Sequence, residues 1–229
     1  MKTVIEFLEQ VRRNNNREWF EANRAWYKEA QGVFNAFVEE LIAGIADFDP
    51  SVRGLAVKDC TYRFHRDTRF SPNKDPYKIH MGAYICPFGK KSGYAGYYFH
   101  IEPECEEGMI GCNVMTSGLY MPEPNALRSV RYDIVEHGPA FETAIRKAKG
   151  FALDQGNKLK RVPTGFTPGT PYDEYLKLKD IYLTKSFGND YLLQPGLAQR
   201  AARDFALTYD LTAMLNRAVR YAFEENTDD

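Results

Sequence analysis

Cysteine is scarce in this sequence, and the few that occur lack the spacing that would give them chemistry. Four cysteines lie at positions 60, 86, 105 and 112 of 229 residues. None forms a Cys-x-x-Cys pair, and no histidine lies at the spacing that zinc sites use. Isolated cysteines in a chain of this length are typical of free thiols in a reducing compartment. The sequence therefore predicts a cytoplasmic protein without disulfides and without a cysteine-based metal site.

An excess of charge of either sign is also missing. The chain has 30 lysines and arginines against 31 aspartates and glutamates. Proteins that bind nucleic acid usually carry a basic excess, because contacts with phosphate supply most of their non-specific affinity. The balance therefore disfavours nucleic acid as a partner, although a local basic patch leaves that partner open. Long apolar runs and a signal pattern are missing too, so we expect no membrane partner.

Motifs that mark well-known reactions are absent from the sequence. It contains no Walker loop, no Gly-x-Gly-x-x-Gly after a strand pattern and no His-Glu-x-x-His, and neither Ser71 nor Ser117 lies in Gly-x-Ser-x-Gly. No cofactor is therefore expected. The acidic residues between positions 102 and 107 have the composition of a solvated hairpin tip, and His80 and His137 are expected at the surface. We accordingly expect no metal site.

Helical periodicity is the strongest pattern that the sequence does contain. Apolar residues recur at steps of three and four between residues 19 and 45, which predicts one long helix. Thr3, with a glutamate three residues later, has the form of an N-cap that begins a shorter helix before it. Pro124 suits the first turn of another helix. The last helix is predicted from about residue 195 to residue 223.

Strand patterns occupy the middle of the chain. Short apolar and aromatic runs near residues 60–66, 81–86, 94–101 and 109–115 are separated by Gly, Pro, Asn and Lys, as in hairpin connections. A further strand is predicted at residues 181–187. Consecutive strands with no helix between them imply an antiparallel sheet. The predicted fold is α+β, with a central, mainly antiparallel sheet packed by long N- and C-terminal helices, in a single domain over residues 1–229.

Residues 62–78 form the most highly charged segment of the chain. Five basic residues and two aspartates lie within it, a local excess in an otherwise neutral protein. If the segment is extended, alternate side chains share a face, and Asp67 then lies between two arginines that it could orient for bidentate recognition of carboxylate or phosphate. The segment therefore predicts a site for a small anionic ligand. Its predicted ligand-binding residues are Arg63, Arg66, Arg69, Lys74 and Lys78, with Tyr77 and Tyr120 as walls and with Asn23 and Trp19 lining the same cleft.

Acid–base catalysis at such a site would need a histidine or a carboxylate. A histidine near carboxylates can exchange protons near neutral pH. In a regular strand, His100 would share its face with Tyr98 and Glu102, although hydrogen bonding within the sheet is the plainer role for that histidine. The catalytic candidates are His65, His100 and Asp67.

Two other interpretations of the charged segment stay open from the sequence. One is a macromolecular binding module, in which the segment and the tyrosine-rich residues 94–98 meet nucleic acid or an acidic protein through charge and stacking. The other is a structural network, in which the arginines pair with aspartates inside the protein. The sequence also leaves open whether the protein is an enzyme and which oligomer it forms.

Four blocks of the chain carry a family resemblance. They are residues 14–20 with Asn23, the Arg-Asp-Thr-Arg-Phe-Ser run at residues 66–71 with Lys74, Pro76, Tyr77 and Lys78, residues 118–123 with Leu127 and Arg131, and residues 159–160 with Pro163, residues 165–166 and residues 176–177. The run at 66–71 is specific, and together the blocks span most of the chain. The chain resembles the uncharacterised bacterial family known as domain of unknown function DUF2461. This resemblance implies an α+β domain with a sheet backed by helices, and it implies no activity.

Overall fold

The computed structural model describes residues 1–106 and 108–225, and its centre is one antiparallel sheet. Glu107, expected in a solvated hairpin tip, lies outside the described residues. The strands are β1 Met81–Ile85, β2 Gly96–Ile101, β3 Asn113–Leu119, β4 Ala152–Leu153 and β5 Ile181–Phe187. Neighbouring strands follow the order β1-β2-β3-β5-β4, and every pairing is antiparallel. The predicted α+β class is confirmed.

Helices surround this sheet, and the two longest agree closely with the sequence periodicity. The one that begins at Pro124 has the proline in its first turn, where the missing N–H costs nothing. Among the described residues, none of the helices is long and apolar enough to cross a membrane. The α-helices are α1 Lys2–Arg13, α2 Arg17–Ala22, α3 Arg24–Ala46, α4 Val57–Cys60, α5 Pro124–Lys147, α6 Asp173–Leu176, α7 Asn189–Leu193, α8 Leu197–Ala206 and α9 Tyr209–Glu225, and a 3₁₀ turn spans Pro50–Val52.

The two faces of the sheet have different roles. Ala83, Phe99 and Met115 lie side by side across β1, β2 and β3, and all three are buried in the core that α1, α3 and α8 complete. The Phe99 ring lies 4.7 Å from that of Phe37 on α3. Because successive residues of a strand point to opposite faces, their neighbours Tyr84 and Tyr98 point away from this core. The second face is therefore available to form a site.

Helix boundaries differ from the prediction where side chains find distant partners. Thr3 lies inside α1 rather than at its N-cap, because its hydroxyl accepts a hydrogen bond from the Trp26 indole at 3.0 Å. Asn23 separates α2 from α3 in the region predicted as one helix. The last predicted helix is divided between α8 and α9 at Thr208, whose hydroxyl contacts Ser117 on β3 at 2.7 Å. These contacts join elements far apart in sequence, so periodicity alone could not reveal them.

The strand predicted at residues 60–66 is wrong. Cys60 ends α4, and the following chain pairs only through isolated bridges at Thr61 and His65. Residues 61–78, called here the basic loop, instead fold back on themselves. The N–H of Arg66 donates to the Pro76 carbonyl at 2.9 Å, and the N–H of Lys78 donates to the Phe64 carbonyl at 3.0 Å. The Phe64 carbonyl and the Arg66 N–H are therefore used within the loop and not in the ladder of the sheet.

The basic loop is attached to the N-terminal helices through Tyr77. The Asn15 side-chain amide donates to the Tyr77 carbonyl at 2.9 Å and accepts from the Tyr77 N–H at 3.1 Å. The Tyr77 ring stacks on Phe20 with 3.9 Å between centroids. Tyr77 is only 3% exposed, so the residue predicted as a wall of the ligand site is part of the core. These contacts fix where the cations on either side of Tyr77 lie.

We expect Asn15→Ala to lower the free energy of unfolding by about 1–3 kcal/mol, because two hydrogen bonds to one residue's backbone are lost. Urea denaturation measures the change. Asn14→Ala is the matched control, since in the described part of the chain the Asn14 side-chain amide bonds to Gln10 of α1 and not to the loop. We also expect faster proteolytic cleavage within residues 61–78 in Asn15→Ala but not in Asn14→Ala. Equal cleavage rates in the two variants would show that Asn15 does not attach the loop.

Candidate functional site

A cavity of about 640 Å³ lies against the second face of the sheet. The basic loop and the first half of α3 contribute to its walls, together with the segment that follows β2. Tyrosine is its most frequent wall residue. The six tyrosines are Tyr27, Tyr62, Tyr84, Tyr98, Tyr120 and Tyr182.

Three basic side chains line the same cavity, namely Arg63, Lys78 and Lys90. The Lys78 and Lys90 ammonium groups lie 5.5 and 5.8 Å from the centre of the Tyr62 ring. Burial lowers the pKa of Lys78, and the positive charge of Arg63 lowers it further. Arg63 approaches the carboxylate of Asp67 only to 4.0 Å. Within the described part of the chain, no aspartate or glutamate is among the lining residues.

A chain of hydrogen bonds leads from the cavity wall into the protein. The Tyr98 hydroxyl lies 2.8 Å from His100 Nδ1, and His100 Nε2 lies 3.1 Å from Glu102 Oε2. His100 and Glu102 are both buried. Gly82 on β1 permits this arrangement, since a Cβ there would lie 2.5 Å from the Tyr98 hydroxyl oxygen.

Glu102 is an ionised, buried carboxylate and not part of a solvated hairpin tip, so that expectation is wrong. Its oxygens accept backbone N–H groups of the following loop, from Met109 at 2.5 Å, Ile110 at 2.7 Å and Gly111 at 2.8 Å. Burial alone would raise the pKa of Glu102, but the hydrogen bonds from His100 and these N–H groups outweigh it and hold the pKa at about 2. The strand predicted at 109–115 begins later, at Asn113, because this loop wraps around the carboxylate.

His80 also lies at this point and not at the surface, where it was expected. Its side chain is 14% exposed, and its Nδ1 lies 3.8 Å from Glu102 Oε1. Its ring centre is 4.8 Å from that of His100. Burial and the neighbouring His100 lower the pKa of His80 to about 3, so the imidazole is neutral. One ligand atom each from His80, His100 and Glu102 lies within 4.8 Å of the others, a grouping that could hold a metal ion.

The structure brings only part of the predicted site together. Arg63, Lys78 and Tyr120 line the cavity. Consecutive residues from Thr61 to Phe64 all reach it, so the alternation expected of an extended segment does not occur. The predicted residues outside the lining set are Arg66, Arg69, Lys74, Tyr77, Asn23, Trp19, His65, His100 and Asp67.

Most of these other residues have local partners. Arg69 is exposed and forms a bidentate pair with Asp67, at 3.0 and 2.7 Å, which lowers the pKa of that carboxyl. Lys74 donates to the Thr68 carbonyl at 3.0 Å. The Asn23 amide donates to the Trp19 carbonyl at 2.9 Å, one turn earlier. The Arg69–Asp67 pair supports the structural interpretation for that half of the loop.

Several site residues were not found from the sequence. Alternation along β2 did group Tyr98, His100 and Glu102 on one face, so this part of the site had a visible signal. Nothing in the local sequence linked His80 or Lys90 to that face. Both reach it through loops whose paths depend on contacts with other elements.

Comparison with known proteins finds a family. The sequence model described as conserved hypothetical protein (DUF2461) matches residues 3–213, which include every residue that lines the cavity. No curated protein and no solved structure matches the chain.

Proposed function

The chain belongs to the family of conserved hypothetical proteins DUF2461, and from its cavity we propose that it binds a small anionic ligand carrying a flat apolar group. One observation carries the proposal. The cavity combines six tyrosines and three basic side chains, and no carboxylate is among its described lining residues. The ligand must therefore offer negative charge to the cations and a surface on which aromatic rings can pack.

The positive charge of the cavity supports the proposal that the ligand is an anion. Lys78 is half-buried, and its lowered pKa reflects a charge that lacks full solvation and faces the like charge of Arg63. An anion placed between these groups would offset both effects. The guanidinium of Arg63 suits bidentate binding to a carboxylate or a phosphate, and the two lysines suit a point charge.

The tyrosines support the proposal that the ligand carries a flat apolar group. Tyrosine offers a rigid ring for stacked or edge-on contacts and a hydroxyl that fixes orientation. A volume of about 640 Å³ falls within the range of small-molecule sites. The tyrosine-rich residues 94–98 do not form an exposed stacking surface, since Tyr97 is fully buried and packs in the core. A concave site therefore favours a small molecule over a nucleic acid strand.

Three probes test the need for negative charge and the need for a flat apolar group separately. Phenyl phosphate has both, inorganic phosphate has only the charge, and phenol lacks the phosphate. We expect phenyl phosphate to raise the melting temperature and to give a measurable binding isotherm, while the other two bind far more weakly at the same concentration. Inorganic phosphate binding as tightly as phenyl phosphate would reject the apolar requirement. If phenol bound as tightly as phenyl phosphate, the requirement for negative charge would be rejected.

Paired variants then locate the site. We expect Arg63→Ala with Lys78→Ala to weaken phenyl phosphate binding by about 10–100-fold, the effect of losing charged hydrogen bonds. Arg69→Ala is the matched control, because it removes a cation from the same loop but outside the cavity lining. The control should bind within about twofold of the wild type, since exposed ion pairs contribute little. A larger loss in Arg69→Ala than in the double variant would place the site on the exposed arginines instead.

A further inference from the structure

We infer that His80, His100 and Glu102 form a site for one divalent transition-metal ion at the inner wall of the cavity. The three side chains come from different elements, the residue before β1, the strand β2 and the residue that follows it. They offer two imidazole nitrogens and a carboxylate oxygen within 4.8 Å of one another. Strand alternation groups His100 with Glu102, but no sequence motif adds His80, so the convergence of all three is a property of the fold.

The donor set defines the chemistry of the ion. Two histidines and one carboxylate are the ligands of many zinc sites and of non-haem ferrous sites. Calcium and magnesium prefer oxygen ligands, so this set disfavours them. The three protein ligands would leave at least one coordination position for water or for an anion.

The surroundings of two of the ligands suit this role. A metal-bound histidine usually has its other ring nitrogen fixed by a hydrogen bond. His100 has this arrangement, because the Tyr98 oxygen can accept the Nδ1 proton when Nε2 binds an ion. Glu102 is held in place by three backbone N–H groups, and its Oε1 accepts only one of them. Its position is therefore set before an ion arrives.

His80 completes the set. Among residues 1–106 and 108–225, no hydrogen bond to its ring nitrogens is formed, and its ring faces His100 and Glu102. Ligands at about 2.1 Å from a tetrahedral ion lie about 3.4 Å apart. His100 Nε2 lies 3.1 Å from Glu102 Oε2, and His80 Nδ1 lies 3.8 Å from the other oxygen, Oε1. One ligand atom from each residue lies within 4.8 Å of the others, which is wider than the spacing around a bound ion. A movement of the unbonded His80 ring toward Glu102 would bring the three ligand atoms to that spacing.

Positively charged side chains near the proposed metal site affect how well it can hold a cation. Lys78 and Arg66 lie close enough to His80 to act on it electrostatically, and they oppose a bare cation. An anion coordinated at the open position would offset both. The metal site nevertheless does not depend on the proposed ligand, because the ion can be titrated alone.

The test is calorimetric titration of the full chain with Zn²⁺ after dialysis against a chelator, in buffer without phosphate. We expect one ion per chain and no binding of Mg²⁺ under the same conditions. His80→Ala should weaken zinc binding by about 100-fold or more, since even partners of ligands cost 10–100-fold. His137→Ala is the matched control, a surface histidine 3.2 Å from the Asp133 carboxylate, and should bind zinc like the wild type. Circular dichroism checks that each variant is folded.

Tyr98→Phe provides a second variant should His80→Ala fail to fold. It removes only the hydroxyl that holds His100, and we expect zinc binding to weaken by about 10–100-fold. Anaerobic titration with Fe²⁺ should give the same order of affinities among the variants. The inference is overturned if the wild type binds no zinc, or if His80→Ala and Tyr98→Phe bind it with wild-type affinity. Failure here would leave the phenyl phosphate result unchanged, so the two proposals are tested separately.

Discussion

Glu102→Gln should destabilise the protein by about 3–5 kcal/mol, the cost of removing one partner from a buried ionic network. Glutamine keeps the size of the side chain but replaces one acceptor oxygen with a donor group. The oxygens of Glu102 accept the N–H of Met109 on one side and those of Ile110 and Gly111 on the other. Whichever way the amide turns, a donor therefore faces a donor, and N–H groups that contact the buried side chain lose their acceptor.

Guanidinium denaturation in metal-free buffer measures this change without any contribution from a bound ion. Glu104→Gln is the matched control, because Glu104 lies two residues away and is exposed. Its effect should stay within about 0.5 kcal/mol, as for most surface substitutions. Similar losses in the two variants would contradict the role assigned to Glu102.

Phe20→Ala should cost about 3–5 kcal/mol, as expected for removing a large ring from a packed core. Phe20 is 1% exposed. Its ring lies 3.9 Å from that of Tyr77 and 5.1 Å from that of Tyr27, so it joins the basic loop to α3. The lost ring leaves a cavity between these elements, and the cost includes the contacts that the remaining atoms no longer make.

Thermal and urea unfolding measure the effect of Phe20→Ala. The control is Phe70→Ala, which removes the same ring from the same loop region at a position that is 94% exposed. That variant should stay within about 0.5 kcal/mol of the wild type. A large loss in Phe70→Ala would mean that the exposed ring packs on something in solution, and a small loss in Phe20→Ala would contradict its place in the core.

The fold was predictable where a pattern repeats along the chain. Periods of three to four residues indicated α3 and α5, and the strand at Ile181–Phe187 was predicted with its observed bounds. The wrong predictions occur where the local sequence favours one structure and a contact with a distant residue stabilises another. Thr3 has the form of an N-cap but bonds to Trp26. Residues 60–66 have strand composition, yet the loop they begin pairs mainly with itself.

The site was predictable only in part. The local excess of basic residues did indicate a segment that contributes to the cavity, through Arg63 and Lys78. The same composition could not separate these two from Arg69, which is paired with Asp67 at the surface. The direction in which a side chain points depends on the path of the backbone. An irregular loop has no repeating period, so the sequence does not predict which of its side chains face the cavity.

The sequence by itself determined the fold class, the main helices and strands, and the common face of Tyr98, His100 and Glu102, because residue spacing sets all three. Only the tertiary structure decided which cations face the cavity and brought His80 and the loop after β2 to Glu102. A buried carboxylate needs partners, and the groups that supply them here come from elements whose positions are fixed by packing. The absence of familiar motifs from the sequence therefore did not mean the absence of a site.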